Sequence, residues 1–208
     1  MNLRALMIAG LLAALAPGIA PLAIAKMPAM AGMEVGHSVA GRPGGQLPWG
    51  TVRKTLAASE HEGHVSGQTV RFYGQAVALR VVANAPRHPD MSFEVGGLTN
   101  PTISVARGSR ITLTFLNMDY GPGMSHAVLI TSAQPPYPPR LNLHRMRVLA
   151  RIPPLAPRSK RHLNKARYAE ASVRFIAQTP GTYYYVCPIP GHALAFHMYG
   201  QFIVRNDR

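Results

Sequence analysis

Short runs of β-branched and aromatic residues, each interrupted by glycine or proline, restrict this chain to β structure. Glycine and proline each number 19 among the 208 residues. Residues 111–115 and 172–176 alternate apolar and polar side chains with the period of two that a half-buried strand requires. Strands are predicted at residues 69–73, 77–83, 92–95, 102–105, 110–117, 126–131, 171–177, 181–187 and 201–205. This number and spacing of strands predict an all-β sandwich.

The amino terminus has the features of a secretory signal. Arg4 precedes an apolar stretch, residues 5–16, that is too short to span a bilayer, and residues 23–25 form a small-residue cleavage site. We therefore predict that residues 1–25 are a signal peptide and that the mature chain begins near Lys26 in the periplasm. An uncleaved membrane anchor is the alternative interpretation.

The remaining chain is divided into an N-terminal extension, residues 26–65, and a single β domain, residues 66–208. Within the extension, residues 27–50 are rich in Gly, Met and Pro and show no period. They are predicted to form a mobile arm, with Trp49 as a docking point. A short helix is predicted at residues 51–62.

One stretch of the domain, residues 133–168, departs from the strand pattern. Its seven prolines remove N–H donors that a sheet needs, so we predict a long surface connection there. No Asp or Glu occurs from residue 120 to 169, which predicts a concentrated positive face. The basic residues of this connection are Arg140, Arg145, Arg147, Arg151, Arg158, Lys160, Arg161, Lys165 and Arg167.

The positive face restricts the choice of partner. Nucleic acid fits this face poorly, because the predicted signal exports the chain and the basic residues are not interleaved with stacking aromatic residues. An acidic redox protein, or anionic headgroups in a peripheral membrane association, fit the charge.

The only cysteine of the chain, Cys187, lies in a segment that is rich in metal donors. Residues 181–192 read GTYYYVCPIPGH, and Met198 follows. A thiolate, two imidazoles and a weak thioether are the ligands of a mononuclear electron-transfer copper site. Cys187, His192 and Met198 share one loop, stiffened by prolines, and His126 at the start of a predicted strand offers the second imidazole. We predict that these four residues bind one copper ion.

Two other interpretations of these residues stay open. A lone cysteine is in most proteins a small buried apolar residue, and His192 and His126 are then satisfied by backbone groups. For the axial position, His197 competes with its neighbour Met198, and with His197 bound the copper would have three imidazoles and a lower potential.

Several segments resemble the rusticyanin family of acid-stable blue copper proteins. They include SGQTV at residues 66–70, SFEV at 92–95, NPT at 100–102, GSRI at 108–111, PPY at 135–137 and, above all, residues 181–192. The resemblance extends from about residue 60 to 205. It implies a cupredoxin-type Greek-key β-sandwich and places the copper ligands on His126, Cys187, His192 and Met198. The chain also resembles the rusticyanin-like cupredoxins of acidophiles, and this resemblance implies cytochrome c oxidase as a partner.

Two positions depart from the family pattern. Ala127 stands where the family has a Ser after its first ligand His, so a hydrogen bond that tunes the site is expected to be absent. Five residues separate His192 from Met198, one more than in the family. The longer loop is expected to perturb the axial bond and the reduction potential.

Together these features predict a periplasmic copper protein that carries single electrons in an acidophile respiratory chain and is not an enzyme. It would dock on cytochrome c oxidase or a cytochrome c. A net charge of +14 with only eight carboxylates suits acid, because acid denaturation protonates carboxylates that the native state needs ionised. Two other functions are a copper carrier or storage protein, suggested by Met27, Met30, Met33 and His37, and a stabilising accessory subunit of an oxidase.

Overall fold

The computed structural model describes residues 39–40 and 42–207, which form two sheets packed face to face, with one helix on the outside. The predicted signal segment and the Met-rich part of the arm lie outside the described residues. The strands are β1 (Val39–Ala40), β2 (Arg42–Pro48), β3 (His64–Ser66), β4 (Thr69–Arg71), β5 (Ala76–Ala83), β6 (Phe93–Val95), β7 (Leu98–Thr99), β8 (Thr102–Ala106), β9 (Arg110–Asn117), β10 (His126–Thr131), β11 (Val148–Leu155), β12 (Arg167–Ile176), β13 (Gly181–Val186) and β14 (Tyr199–Arg205).

Within residues 42–207 the strands are connected by four helical segments: α1 (Trp49–Ser59), a 3₁₀ turn (Leu143–Arg145), a second 3₁₀ turn (Leu163–Lys165) and α2 (His192–Phe196). Sheet 1 has the order β1-β11-β10-β13-β14-β8-β4-β3, and sheet 2 has the order β2-β12-β9-β5-β6-β7. Each of the nine predicted strands has a counterpart, and those at 110–117 and 126–131 have the predicted bounds. The all-β sandwich is confirmed.

The core between the sheets takes alternate side chains from facing strands. Leu79 and Val81 of β5 and Leu113 and Phe115 of β9 are at most 1% exposed. Tyr185 of β13 lies at the centre, where its hydroxyl donates a hydrogen bond of 2.7 Å to the Pro101 carbonyl. This contact fixes the strand that leads directly into Cys187.

Helix α1 confirms the predicted short helix, although it begins at Trp49, directly after Pro48. It packs on the outer face of sheet 2, where Val52 joins Leu116 and Tyr168. The Trp49 ring lies 6.0 Å from the Tyr168 ring, centroid to centroid. Trp49 thus docks the extension onto the β domain, as expected.

The predicted mobile arm is wrong for residues 39–40, which form β1 beside β11, and from residue 42 onward, because residues 42–48 form strand β2 against β12. The register pairs Leu47 with Tyr168 and Arg42 with Ser172. A Gly- and Pro-containing segment lacks strand propensity of its own, so this strand exists only because β12 offers an edge.

The predicted absence of a strand in the Pro-rich connection is also wrong. Strand β11 pairs with β10 on one side and with β1 on the other. In the pairing with β10, His126 is opposite Leu155 and Val128 is opposite Ile152, with a β-bulge between them. Pro153 and Pro154 fall within this bulge, where no ladder hydrogen bond is required from their missing N–H groups.

Residues 133–147, named the cap here, cover the outer face of sheet 1. Tyr137, 3% exposed, forms an apolar cluster with Leu129 and Val186 of the sheet and with Ala193 of α2. The cap itself adds partly buried residues to this cluster, namely Ala133, Leu141, Leu143 and Met146. The first part of the predicted connection is therefore a packed element.

Within the part of the chain that the structure describes, no helix combines the length and the apolar character needed to cross a bilayer.

The buried carboxyl of Glu94 allows the pH dependence of the protein's stability to be tested. Glu94 lies in β6, is 2% exposed, and accepts hydrogen bonds from the Ser59 hydroxyl (2.9 Å) and the Gly97 N–H (2.7 Å). Burial raises its pKa above the ordinary 4.5, so folding favours the protonated form. The stability gained in this way is complete below 4.5 and is lost as the pH rises through the raised pKa.

We predict that Glu94→Gln removes this loss, because a neutral amide occupies the site at every pH. Midpoints of urea unfolding, measured across a pH series, should fall less steeply above pH 4.5 in the variant than in the parent protein. Asp207→Asn, at an exposed carboxylate paired with Arg205, is the control and should keep the parental slope. Equal slopes for the parent and Glu94→Gln would contradict the role of Glu94.

Candidate metal centre

Cys187 follows β13 at one end of the sandwich and has no exposed surface. The loop after it returns to the same point, because the Cys187 N–H donates to the Met198 carbonyl (3.0 Å) and the Met198 N–H donates to the His192 carbonyl (3.3 Å). Gly191, with φ of 86°, provides the left-handed conformation that starts α2. These bonds close the loop into a compact hairpin with its sulfur facing inward.

Two imidazoles converge on this sulfur. The distance from Cys187 Sγ to His192 Nδ1 is 3.4 Å, and the distance to His126 Nδ1 is 3.9 Å. One donor atom from each of the three residues lies within 4.8 Å of the others, close enough for all three to bind one ion. The structure therefore brings together three of the four predicted ligands from β10, the end of β13 and the start of α2.

The protonation of these groups follows from their burial. Burial raises the pKa of the Cys187 thiol to about 11, against the opposing effect of hydrogen bonds from the Ala127 and Ile189 backbone N–H groups. Burial also lowers the pKa of His192, with a further lowering by His126. A neutral His192 is ready to bind metal, whereas the thiol must lose its proton when the metal binds.

The backbone of Ala127 contacts the site. Its N–H is one of the two donors directed at the Cys187 sulfur. This hydrogen bond does not depend on the Ala127 side chain.

Asp119 is a functional residue that sequence reasoning missed. Its Oδ2 lies 2.8 Å from His126 Nε2, and its Oδ1 accepts the Tyr120 N–H at 2.6 Å. With Nε2 engaged as a donor, His126 presents Nδ1 to Cys187 as an acceptor. Asp119 is 8% exposed, and the fully buried Asn117 accepts its backbone N–H at 2.9 Å. The only signal in the sequence was an isolated acid shortly before His126.

Met198 and His197 differ in their surroundings. Met198 is fully buried and belongs to the same apolar cluster as Cys187. His197 is exposed, in the left-handed region with φ of 53°, and its Nδ1 lies 3.4 Å from the Tyr199 hydroxyl. Helix α2 and the left-handed turn at His197 together span the loop from His192 to Met198.

An apolar rim surrounds the buried histidine. His192 is 9% exposed, and the Phe196 ring packs edge-on against it, with centroids 6.4 Å apart. Four large apolar side chains near the site are exposed to solvent by 37–54%, namely Tyr120, Met124, Leu194 and Phe196. They lie on the two loops that carry or precede the histidines.

A β-sandwich that carries one Cys and two His at one end defines a cupredoxin, the class of mononuclear copper proteins. The thiolate and imidazole donors fit one copper ion. No protein-family model matches the chain. It is 36% identical over 143 residues to rusticyanin of Acidithiobacillus ferrooxidans (69% of this chain, 85% of the relative). It is 35% identical over 190 residues to rusticyanin of Acidithiobacillus ferridurans (88% and 91%).

Solved structures agree with these relatives. A rusticyanin structure from Thiobacillus ferrooxidans superposes with a TM-score of 0.66 at 32% identity, covering 77% of this chain and 96% of that one. A methionine-to-leucine variant of rusticyanin gives a TM-score of 0.69 at 29% identity, covering 82% and 100%. The chain belongs to the rusticyanin family, as the motifs predicted, and so to the blue copper electron-transfer proteins.

We predict that Asp119→Asn weakens copper binding about 10- to 100-fold, because the neutral amide is a poorer acceptor for His126 Nε2–H. Competition with a chelator measures the affinity, and circular dichroism reports the fold. Asp207→Asn, at an exposed carboxylate paired with Arg205, is the matched charge control. Equal copper affinities of the two variants would show that Asp119 does not support His126.

Proposed function

We propose that this protein is a periplasmic carrier of single electrons in the respiratory chain of an acidophile. Its copper ligands would be His126, Cys187, His192 and Met198. The observation that carries the proposal is the convergence of one buried thiol and two imidazole nitrogens within 4.8 Å, in a chain of the rusticyanin family. Copper bound there supplies a one-electron couple, and no substrate is chemically changed.

The chain keeps the ligand set in one geometry. The loop hydrogen bonds and the prolines at 188 and 190 limit movement between redox states, which lowers the energy of reorganisation. Burial lowers the pKa of His192 and so keeps its imidazole neutral, and available to the metal, at a lower pH than a free histidine would allow. Both properties suit an electron carrier that works in acid.

His192 is the expected point of electron exchange. Of the two ring ligands only His192 reaches the surface, since His126 is fully buried. The exposed side chains of Leu194 and Phe196 beside it would exclude water from the contact with a partner. We propose cytochrome c oxidase or a cytochrome c as this partner, bound through the basic residues between 140 and 167, with peripheral association with anionic lipid as a further contact.

The alternatives predict different behaviour of the bound copper. A copper carrier or storage protein would release its ion to a competing chelator, whereas the full burial of His126 and Cys187 favours retention. A stabilising accessory subunit of an oxidase would keep its effect on the oxidase without the metal site.

We predict that the parent protein takes up one equivalent of copper(II) with an intense thiolate-to-copper absorption band and reversible voltammetry. Cys187→Ser should lose the band completely, because a serine hydroxyl is not a soft, covalent ligand. Oxidase stability and electron flux should be measured separately with both proteins. Unchanged flux with Cys187→Ser would refute electron carriage and favour the accessory role, and rapid loss of copper to a chelator would favour the carrier role.

Met198→Leu tests the axial ligand. Loss of the thioether removes electron donation to the oxidised ion, so the reduction potential should rise and the absorption band should shift. His197→Ala is the matched control on the neighbouring, exposed residue and should leave the potential and the spectrum unchanged. A larger shift in His197→Ala than in Met198→Leu would reverse the assignment.

A further inference from the structure

The cap is attached to the copper loop on both sides of His192. On one side the Gly191 N–H donates a hydrogen bond of 3.0 Å to the Pro139 carbonyl. On the other side, Ala193 is 6% exposed within the same apolar cluster as Tyr137. The backbone next to Arg140 is therefore held beside the loop of His192.

Tyr137 anchors the cap to the strand that follows Met198. Its ring meets the Tyr199 ring edge-on with centroids 5.1 Å apart, and its hydroxyl donates to the Ala133 carbonyl at 3.1 Å. Burial among these groups raises the pKa of the Tyr137 phenol. A side chain held in this way keeps the cap at one place on sheet 1.

The basic residues that are contiguous in the sequence separate into two surfaces in the fold. Arg151 is opposite Leu129, whose side chain contributes to the cluster under the cap, so Arg151 lies on the outer side of sheet 1. We name the exposed arginines on this side, Arg140, Arg147 and Arg151, the cap patch.

The second surface lies beside helix α1, on the outer side of sheet 2. Leu163 packs in the cluster of Val52, and the Tyr168 hydroxyl donates to the Leu163 carbonyl at 2.8 Å. We name the exposed basic residues around this segment, Lys160, Arg161, Lys165 and Arg167, the helix patch.

Arg158, between the two patches in the sequence, is engaged internally. Its guanidinium donates to the carbonyls of Met118, Lys160 and Arg161 and lies 5.3 Å from the centre of the Tyr120 ring. Arg158 therefore serves the structure of the loop beside Asp119.

We propose that the cap patch, and not the helix patch, is the docking surface for a redox protein with an acidic surface. The proposal rests on the function proposed above and specifies which charges guide the partner. Arg140 of the cap patch adjoins Pro139, whose carbonyl is bonded to the loop of His192, and the apolar rim at Leu194 and Phe196 lies on the same loop. A partner that pairs its carboxylates with the cap patch therefore brings its redox centre toward His192.

The partner's charge follows from the composition of this surface. No carboxylate occurs from residue 120 to 169 to offset the arginines, so a basic partner would be repelled. Arginine binds carboxylates through a planar fork of donors, which gives a defined orientation of the bound protein.

The test measures the rate at which a reduced plant-type ferredoxin, a strongly acidic one-electron donor of low potential, reduces the copper-loaded protein by stopped flow. The cap variant carries Arg140→Gln, Arg147→Gln and Arg151→Gln. The control variant carries Lys160→Gln, Arg161→Gln and Arg167→Gln, and so loses the same charge. At low ionic strength the cap variant should react about tenfold more slowly than the parent protein, with a flatter salt dependence. The control variant should lose about twofold at most.

Equal losses in the two variants would overturn the proposal, because net charge rather than place would then control association. Sedimentation with phosphatidylglycerol vesicles tests a lipid surface as the occupant. If only the cap variant lost vesicle binding while its rate with ferredoxin stayed parental, the patch would be a lipid contact and the proposal would be wrong. Reduction of the parent protein by hexacyanoferrate(II) tests the proposed function separately. A parent protein that takes up no copper or accepts no electron refutes electron carriage. If the parent protein accepts electrons but the cap and control variants react at the same rate with ferredoxin, only the docking surface is refuted.

Discussion

The burial of the Cys187 sulfur between two imidazoles is the constraint on which the other features of the site depend. Without a metal this position favours a protonated thiol, because burial raises its pKa to about 11. A bound cation reverses the preference, since its charge is compensated by the thiolate in a site that excludes water. The same burial that disfavours the free thiolate therefore favours retention of the metal. The fold must only keep the three donors in place.

Two separate networks keep them in place, and neither uses the ligand atoms themselves. On the Cys187 side, backbone hydrogen bonds to Met198 and from Met198 to His192 close the loop. On the His126 side, Asp119 accepts from Nε2, and the fully buried Asn117 positions Asp119 through its backbone N–H. A site whose donors are oriented by surrounding hydrogen bonds changes little when its metal gains or loses an electron.

The local sequence pattern predicted those elements that are specified by residues close together in the sequence. Alternation identified β9 within its observed bounds, and the donor set around Cys187 identified the three converging ligands. Strand β2 was missed because its pairing with β12 depends on a partner more than 100 residues away in the sequence. Strand β11 was missed because its two adjacent prolines argue against a strand until the bulge that accommodates them is known. Asp119 was missed for the same reason, since its meaning comes from one tertiary contact.

The basic residues also show that neighbours in the sequence are not always neighbours in the fold. The basic run from Arg140 to Arg167 is contiguous in the chain, yet β11 carries the chain along sheet 1 in the middle of that run. Arg140, Arg147 and Arg151 are exposed on the side of the cap, whereas Lys160, Arg161, Lys165 and Arg167 are exposed near α1. Because exposed charges are screened over about 10 Å at moderate ionic strength, the place of a basic group on the surface decides which partner charges it attracts. A positive net charge therefore guides association, while the attachment of the cap to the ligand loop determines where the partner is held.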